Sequence, residues 1–184
     1  MLPPSRLSMA ISTLVGQNIG AGNTERAGQI GRLGGWLGFW ALSVLGIVAF
    51  FFAPQLISFF IPGDPSVIAT GAFFLRIMAL SWGFMGVQFA LTGVLRASGN
   101  MVVTMVLTLV SQWVLQFPLA YVLSKHTTLG AVGIWWAFPI SNVIIALITI
   151  GVYATGDWKK TKLTEEEQLT ETVSEAIMKE EGFR

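Results

Sequence analysis

Four amide side chains, Gln88, Gln112, Gln116 and Asn142, lie within long stretches of this sequence that carry no charged residue. An amide donates and accepts hydrogen bonds and does not titrate at neutral pH. In hydrocarbon an unpaired polar group is costly, so each amide needs a partner helix, water or a polar ligand. The chemistry that these residues predict is therefore reversible binding.

Two interpretations of the amides remain open. Gln112 and Gln116 are four residues apart, which places them on one helix face. With Gln88 they would form a wet wall of a substrate cavity, with Asn142 as a further candidate. Alternatively they form hydrogen bonds between helices, worth about 0.6 kcal/mol each. The two roles can coexist.

Residues that usually perform catalysis or hold metals are scarce. The chain has no cysteine and one histidine, His126, with no carboxylate near it in the sequence. Such a histidine forms neither a metal site nor a catalytic triad. The glycines of residues 16–22 (GQNIGAG) are in the wrong order for a dinucleotide-binding turn. We predict a protein that is not an enzyme and holds no metal or cofactor.

Long charge-free segments must position the amides. Hydrophobic residues make up 53% of the chain and charged residues 11%, and residues 33–63, 77–95, 97–124 and 127–156 carry no charge. A membrane-spanning helix needs about 20 apolar residues. The sequence therefore predicts an all-α membrane protein, a polytopic helical bundle with four full transmembrane helices. Residues 7–22 are short and polar for a crossing, and predict a partial N-terminal helix.

Acidic residues divide the chain into two parts. Eight of the ten acids lie in residues 157–184. We predict a transmembrane bundle over residues 1–156 and a polar cytoplasmic tail over 157–184. Within the tail, a capping box at residues 164–167 predicts a short amphipathic helix over about 165–181.

The positive-inside rule predicts the orientation. With both termini in the cytoplasm of a plasma (cytoplasmic) membrane protein, Lys125 and Arg76 lie outside, and Arg76 reaches the interface with a structural role. The inner side then holds seven cations, Arg6, Arg26, Arg32, Arg96, Lys159, Lys160 and Lys162. A net charge of +1 is too weak to predict nucleic-acid binding.

Small residues and prolines predict how the helices pack. Ser12, Gly16 and Gly20 recur every four residues, as do the pairs 31/35 and 34/38, which predicts close helix contacts. Pro54, Pro118 and Pro139 fall within predicted spans and predict kinks.

Four motifs occur in a familiar order. They are residues 12–23 (STLVGQNIGAGN, then Glu25-Arg26-Ala27), 93–99 (GVLRASG), 116–123 (QFPLAYVL) and 130–137 (GAVGIWWA). In this order they resemble the multidrug and toxic compound extrusion (MATE) family over about residues 3–156, although Ala97 stands where that family usually has glycine.

The resemblance implies a place within a larger transporter. MATE proteins have two six-helix lobes, and this chain resembles the C-terminal lobe from within helix eight through helix twelve. The motif residues then have architectural roles: glycines in turns, Arg96 capping a cytoplasmic helix end and Pro118 as a kink. These residues are Gly16, Gln17, Gly20, Gly22, Gly93, Arg96, Gly99 and Pro118.

The implied function is export of organic, often cationic compounds in exchange for sodium ions or protons. No acid lies within a full span, so no coupling-ion site is evident in this chain. The expected partners are membrane lipid, small organic substrates and the missing N-terminal lobe or another transporter half. Two alternatives remain: a flippase for lipid-linked saccharides of the same superfamily, and a truncated, non-transporting membrane subunit.

Overall fold

The computed structural model describes residues 3–159 and Val173, with side chains from Ser8 onward. Within this part the chain is helical, which confirms the predicted all-α class. A π-helical segment (Val110–Gln116) lies between the sixth and seventh of the described helices, and a 3-10 turn (Asp157–Lys159) follows the eighth. The predicted tail helix lies outside the described residues. In chain order the helices are α1 (Pro3–Gly20), α2 (Thr24–Phe51), α3 (Ala53–Phe60), α4 (Pro65–Ala79), α5 (Trp82–Ala97), α6 (Met101–Leu109), α7 (Phe117–Lys125) and α8 (Ala131–Thr155).

The described helices confirm a polytopic bundle. Thr24–Phe51, the run Met101–Lys125 and Ala131–Thr155 are each long and apolar enough to cross a bilayer. Helices α4 and α5 together form a further candidate crossing, bent by 47°. The described part therefore contains three helices that could each cross a bilayer, or four candidate crossings when the bent pair counts as one.

Two helical elements extend beyond the charge-free segments that predicted them. The bent pair that contains residues 77–95 begins at Pro65, and the helix that contains residue 33 begins at Thr24. Both helices include arginines, which a charge-free window excludes. Arginine can lie near a helix end within a span because its long side chain carries the charge to the interface or to a polar partner.

Arg76 shows how one such charge finds a partner. Its Nε donates a hydrogen bond of 3.2 Å to the carbonyl oxygen of Phe50, and its guanidinium lies 5.8 Å from the Phe50 ring centroid. Phe50 is in the last turn of α2, where carbonyls lack helical donors and a cation is favourable. Arg76 thus ties α4 to the end of α2, which is the structural role expected for it.

Helix α2 packs backbone to backbone against the bent pair. A Cβ built on Gly38 would lie 2.6 Å from the carbonyl oxygen of Gly86, and one on Gly46 would lie 2.7 Å from that of Ala79. Position 38 thus faces 86 while position 46 faces 79, so α2 runs antiparallel to α4 and α5. The absence of side chains at Gly38, Gly46 and Gly86 permits this approach, as predicted for residue 38.

The predicted small-residue stripe on α1 faces no neighbour. A Cβ on Gly16 or Gly20 would meet no atom within 4 Å in the described part. Instead α1 buries Ile11, Val15 and Ile19, whose side chains are 4%, 0% and 4% exposed. These residues also recur every four positions, and burying large apolar side chains releases more free energy than burying glycine. They join Leu95, Ile145 and Trp158 in the main core of the bundle.

The motif glycines have two different roles. Gly22 and Gly99 have φ angles of +76° and +83° and lie in turns, as predicted. Gly16 and Gly20 were also assigned to a turn, which was wrong, because both lie within α1. Gly93 was wrongly assigned to a turn, because it lies inside α5 and a Cβ there would be 2.8 Å from the carbonyl oxygen of Ser8 in α1. Its role is close helix packing.

The prolines lie at three different kinds of position. Pro54 is in the first turn of α3, directly after the break that ends α2. Its missing N–H costs little, because it would be unpaired there in any case. Pro118 follows the π-helical segment inside the continuous run Met101–Lys125, and Pro139 lies inside α8.

Asp64 caps the N-terminus of α4. Its Oδ1 accepts hydrogen bonds from the backbone N–H groups of Ser66 and Val67, at 2.9 and 3.2 Å, and from the Ser66 hydroxyl at 2.8 Å. The Ser66 hydroxyl bond is the largest cause, followed by the two backbone bonds, of a pKa for Asp64 below its usual 3.8. The ionised carboxylate is therefore the better cap.

We expect the Asp64→Ala variant to unfold at a lower temperature than the wild type at pH 7. Because the folded-state pKa is depressed, the charge-dependent stabilisation is complete above the unfolded-state value and is lost as pH falls through the folded-state value. The difference between the two proteins should therefore shrink below about pH 4. Thermal unfolding in detergent between pH 3 and 7 measures it. Asp64→Asn, which keeps a capping acceptor without the charge, serves as control. The difference between Asp64→Asn and Asp64→Ala should not change over this range, because neither variant titrates at position 64.

Candidate substrate-facing site

The bent crossing is interrupted at Leu80 and Ser81. Helix α4 ends at Ala79 and α5 begins at Trp82. The Ser81 hydroxyl donates to the carbonyl oxygen of Met78 at 3.1 Å, and the Ser81 N–H donates to the same oxygen at 3.2 Å. A serine side chain that binds nearby backbone in this way competes with the helical pattern. The bend therefore has a local cause.

Asn142 of α8 reaches this break. Its Nδ2 donates to the Ser81 hydroxyl oxygen at 3.3 Å, and Ser81 is 1% exposed. Ser141, next to Asn142 in the sequence, is also buried, and its hydroxyl has no hydrogen-bond partner within the described part. Sequence reasoning selected Asn142 but missed both serines. A serine followed by Trp82 and Gly83 within an apolar run is the signal that could have marked the interruption.

We expect the hydrogen bond between Asn142 and Ser81 to couple the two residues by about 0.6 kcal/mol. The cost is small because Ser81 keeps its bond to Met78 when Asn142 is removed. A double-mutant cycle of Asn142→Leu and Ser81→Ala, followed by unfolding in detergent, measures this coupling. Additive effects of the two substitutions would mean that the bond contributes nothing.

The π-helical segment carries two of the predicted amides. The N–H of Phe117 donates to the carbonyl oxygen of Gln112, five residues earlier, as in a π-helix. Pro118 follows at once and has no N–H, so a carbonyl of the preceding turn lacks its helical donor. The segment therefore combines an irregular backbone with two polar side chains.

The amides of this segment are open to a partner. Gln112 is exposed and Gln116 is half-buried. Neither makes a side-chain hydrogen bond within the described residues. The same holds for Gln88, which is half-buried on α5.

The three glutamines lie on two separate elements. Helix α5 packs against α1, α2 and α8, whereas the π-helical segment packs against α8. Helix α8, which carries Asn142, is thus the common neighbour of all the predicted amides. The single wall formed by Gln88, Gln112 and Gln116 stays a prediction.

Carboxylates in residues 3–159 lie at the ends of helices. Glu25 is in the first turn of α2, Asp64 caps α4 and Asp157 begins the 3-10 turn. Among the described residues no three of the side chains His, Cys, Asp and Glu are close enough together to hold a metal ion. Apart from arginines, the polar side chains within the described crossings are mainly amides and hydroxyls, which suit binding of an organic molecule by hydrogen bonds.

Comparison with known proteins gives consistent matches. The family model MatE matches residues 1–122. A probable multidrug resistance protein, NorM, of Thermotoga maritima is 30% identical over 175 residues, which cover 92% of this chain and 36% of that protein. The probable multidrug resistance protein YpnP of Bacillus subtilis is 35% identical over 162 residues, covering 88% of this chain and 36% of that protein.

A mammalian protein matches as well. The multidrug and toxin extrusion protein 1 of Oryctolagus cuniculus is 28% identical over 163 residues, covering 85% of this chain and 28% of that protein. The chain thus spans about a third of the length of the curated relatives that it matches. No solved structure gives a significant match.

Proposed function

This chain belongs to the MatE family, and on that premise we propose that it is the C-terminal part of a transporter that exports organic, often cationic compounds. Its relatives carry the names of multidrug resistance and extrusion proteins. A partial helix followed by up to four crossings agrees with the part of the fold from helix eight to helix twelve. The other lobe of the transporter would complete the substrate cleft.

The observation that carries the proposal is the pair of glutamines on the π-helical segment. Gln112 and Gln116 place amide oxygens on an irregular stretch of a crossing, without a hydrogen-bond partner among the described residues. A neutral amide oxygen can accept a hydrogen bond from an organic ammonium group without holding it as tightly as a carboxylate. A transported compound must be bound and then released, which favours such weak contacts.

We infer that transport is driven by exchange for sodium ions or protons. The described acids all lie at helix ends, so the carboxylate that such coupling usually requires would be supplied by the rest of the transporter. We further propose that the protein lies in the plasma (cytoplasmic) membrane with both termini in the cytoplasm, because seven cations against two favour this orientation.

An efflux assay tests the proposal. The complete gene is expressed in bacteria that lack their own efflux pumps, and accumulation of fluorescent organic cations is measured. We expect less dye in these cells than in cells with an empty vector, and loss of the difference when the proton and sodium gradients are both collapsed. Equal accumulation of every cationic dye tested, with the protein present in the membrane, would contradict export of such compounds.

A further inference from the structure

An apolar cleft opens between α2, α5 and α8. Its volume is about 350 Å³, and its lining includes Gly35, Trp36 and Phe39 of α2, Leu91 of α5 and Tyr153 of α8. Arg32 is the one charged residue of the lining. The cleft therefore has an apolar body and a single cationic group.

The surroundings of the cleft are suited to lipid. On α2, Leu33, Trp36 and Leu37 are 61%, 63% and 55% exposed. Such an apolar surface faces hydrocarbon in a membrane-spanning bundle. A hydrocarbon chain is therefore the molecule most abundant at the cleft opening.

A second cation lies beside the same end of the cleft. Tyr153 is held by a hydrogen bond of 2.7 Å from its hydroxyl to the carbonyl oxygen of Gly28, and its ring stacks on Trp158 at 5.3 Å. The Lys159 ammonium lies 5.6 Å from the centroid of the Trp158 ring. Arg32 and Tyr153 thus line the same cleft, and Lys159 is linked to Tyr153 through the Trp158 ring.

The charge at this end is not neutralised inside the cleft. Glu25 and Asp157 are the acids of the neighbouring helix end and turn, and neither lines the cleft. Arg32 makes no ion pair or side-chain hydrogen bond within the described residues. A guanidinium with free donors at the membrane interface is a good partner for a phosphate group.

We propose that this cleft binds an anionic phospholipid, with the headgroup phosphate at Arg32 and one acyl chain along Phe39 and Leu91. The site is distinct from the transport site, since Arg32 would repel an organic cation. The positive end of the bundle places the lipid in the cytoplasmic leaflet, where Lys159 adds to the attraction. The proposal goes beyond the proposed transport function and does not depend on it.

Two substitutions test the two halves of the site. Arg32→Gln removes the charge. Gly35→Leu fills the apolar body, and its Cβ would be accommodated, because the nearest atom to a Cβ at Gly35 is Leu91 Cδ2 at an ordinary contact distance of 3.9 Å. Arg26→Gln is the matched control, since Arg26 is an exposed cation on the same end of α2 but does not line the cleft.

Binding of phosphatidylglycerol and of phosphatidylcholine is measured by native mass spectrometry of the protein in neutral detergent. We expect phosphatidylglycerol to bind more tightly, Arg32→Gln to weaken its binding about fivefold, and Arg26→Gln to leave it unchanged. Gly35→Leu should weaken binding of both lipids. An excess of inorganic phosphate should not displace phosphatidylglycerol, because the acyl chain contributes to binding.

Three results would overturn the proposal: equal binding of the two lipids, an effect of Arg26→Gln as large as that of Arg32→Gln, or displacement by inorganic phosphate. If Gly35→Leu does not fold, the comparison of Arg32→Gln with Arg26→Gln still tests whether the charge at position 32 contributes to lipid binding. Leu91→Ala, which enlarges the cleft, then tests whether the apolar part of the cleft contributes. Unchanged lipid binding in Leu91→Ala would then contradict an acyl chain in the cleft. The assay does not measure transport, so failure of the proposed function would not affect its result.

Discussion

Replacing Gly86 with alanine should destabilise this protein, whereas the same replacement at Gly151 should stabilise it. A Cβ on Gly86 would collide with the backbone carbonyl of Gly38, while a Cβ on Gly151 would meet no atom within 4 Å. Forcing α2 and α5 apart costs about 1–3 kcal/mol or more, since backbone cannot rotate away as a side chain can. Alanine in an open helical position gains up to about 1 kcal/mol over glycine.

The opposite signs make this pair of variants its own control. Both residues are helical glycines within crossings, so a general effect of added helix propensity would move both in the same direction. Unfolding temperatures in detergent, together with the yield of monodisperse protein, measure the difference. A Gly86→Leu variant should give little or no folded protein. Stabilisation by Gly86→Ala would show that α2 and α5 do not approach so closely.

Replacing Gln112 and Gln116 together with leucine should lower efflux of an organic cation about tenfold. Each amide loses a hydrogen bond worth about 0.5–1.5 kcal/mol, and 1.4 kcal/mol corresponds to about a factor of ten. The unfolding temperature should stay within about 2 °C of the wild type, because neither side chain has a hydrogen-bond partner among the described residues.

This experiment separates the two interpretations of the amides. Hydrogen bonds between helices would lower the unfolding temperature, and transport would fall only as far as folded protein is lost. A substrate-facing wall would lower transport in protein of normal stability. Gln55→Leu is the matched control, because Gln55 is an exposed glutamine on the short helix α3, apart from the π-helical segment. An equal loss of efflux in the control would contradict a specific role for residues 112 and 116.

Much of the architecture could be predicted from the sequence by itself. Charge-free length indicates crossings because hydrocarbon excludes charge and unpaired backbone. The same rule predicts the short links after α5 and after α7, because Arg96 and Lys125 separate the charge-free segments there. The turns at Gly22 and Gly99 were predictable because a short link between helices often requires a left-handed backbone, which glycine adopts without strain.

Tertiary structure decided which of several equivalent patterns is used. On α1, residues 11, 15 and 19 and residues 12, 16 and 20 have the same spacing, and only packing against α2 and α5 selects the apolar set. Gly93 is a packing residue because Ser8 lies against it, about 85 positions earlier in the chain. Local spacing carries no information about a partner so far away.

The candidate sites divide in the same way. The amides at positions 88, 112, 116 and 142 were identified from the sequence alone, because an amide in a charge-free segment is costly and therefore stands out. The bond from Asn142 to Ser81, the π-helical segment before Pro118 and the cleft beside Arg32 came from the tertiary structure. Each of these features depends on where separate helices meet. In a membrane, the contacts between helices are determined by close backbone approach and paired polar groups, and the hydrophobicity of a single helix does not reveal them.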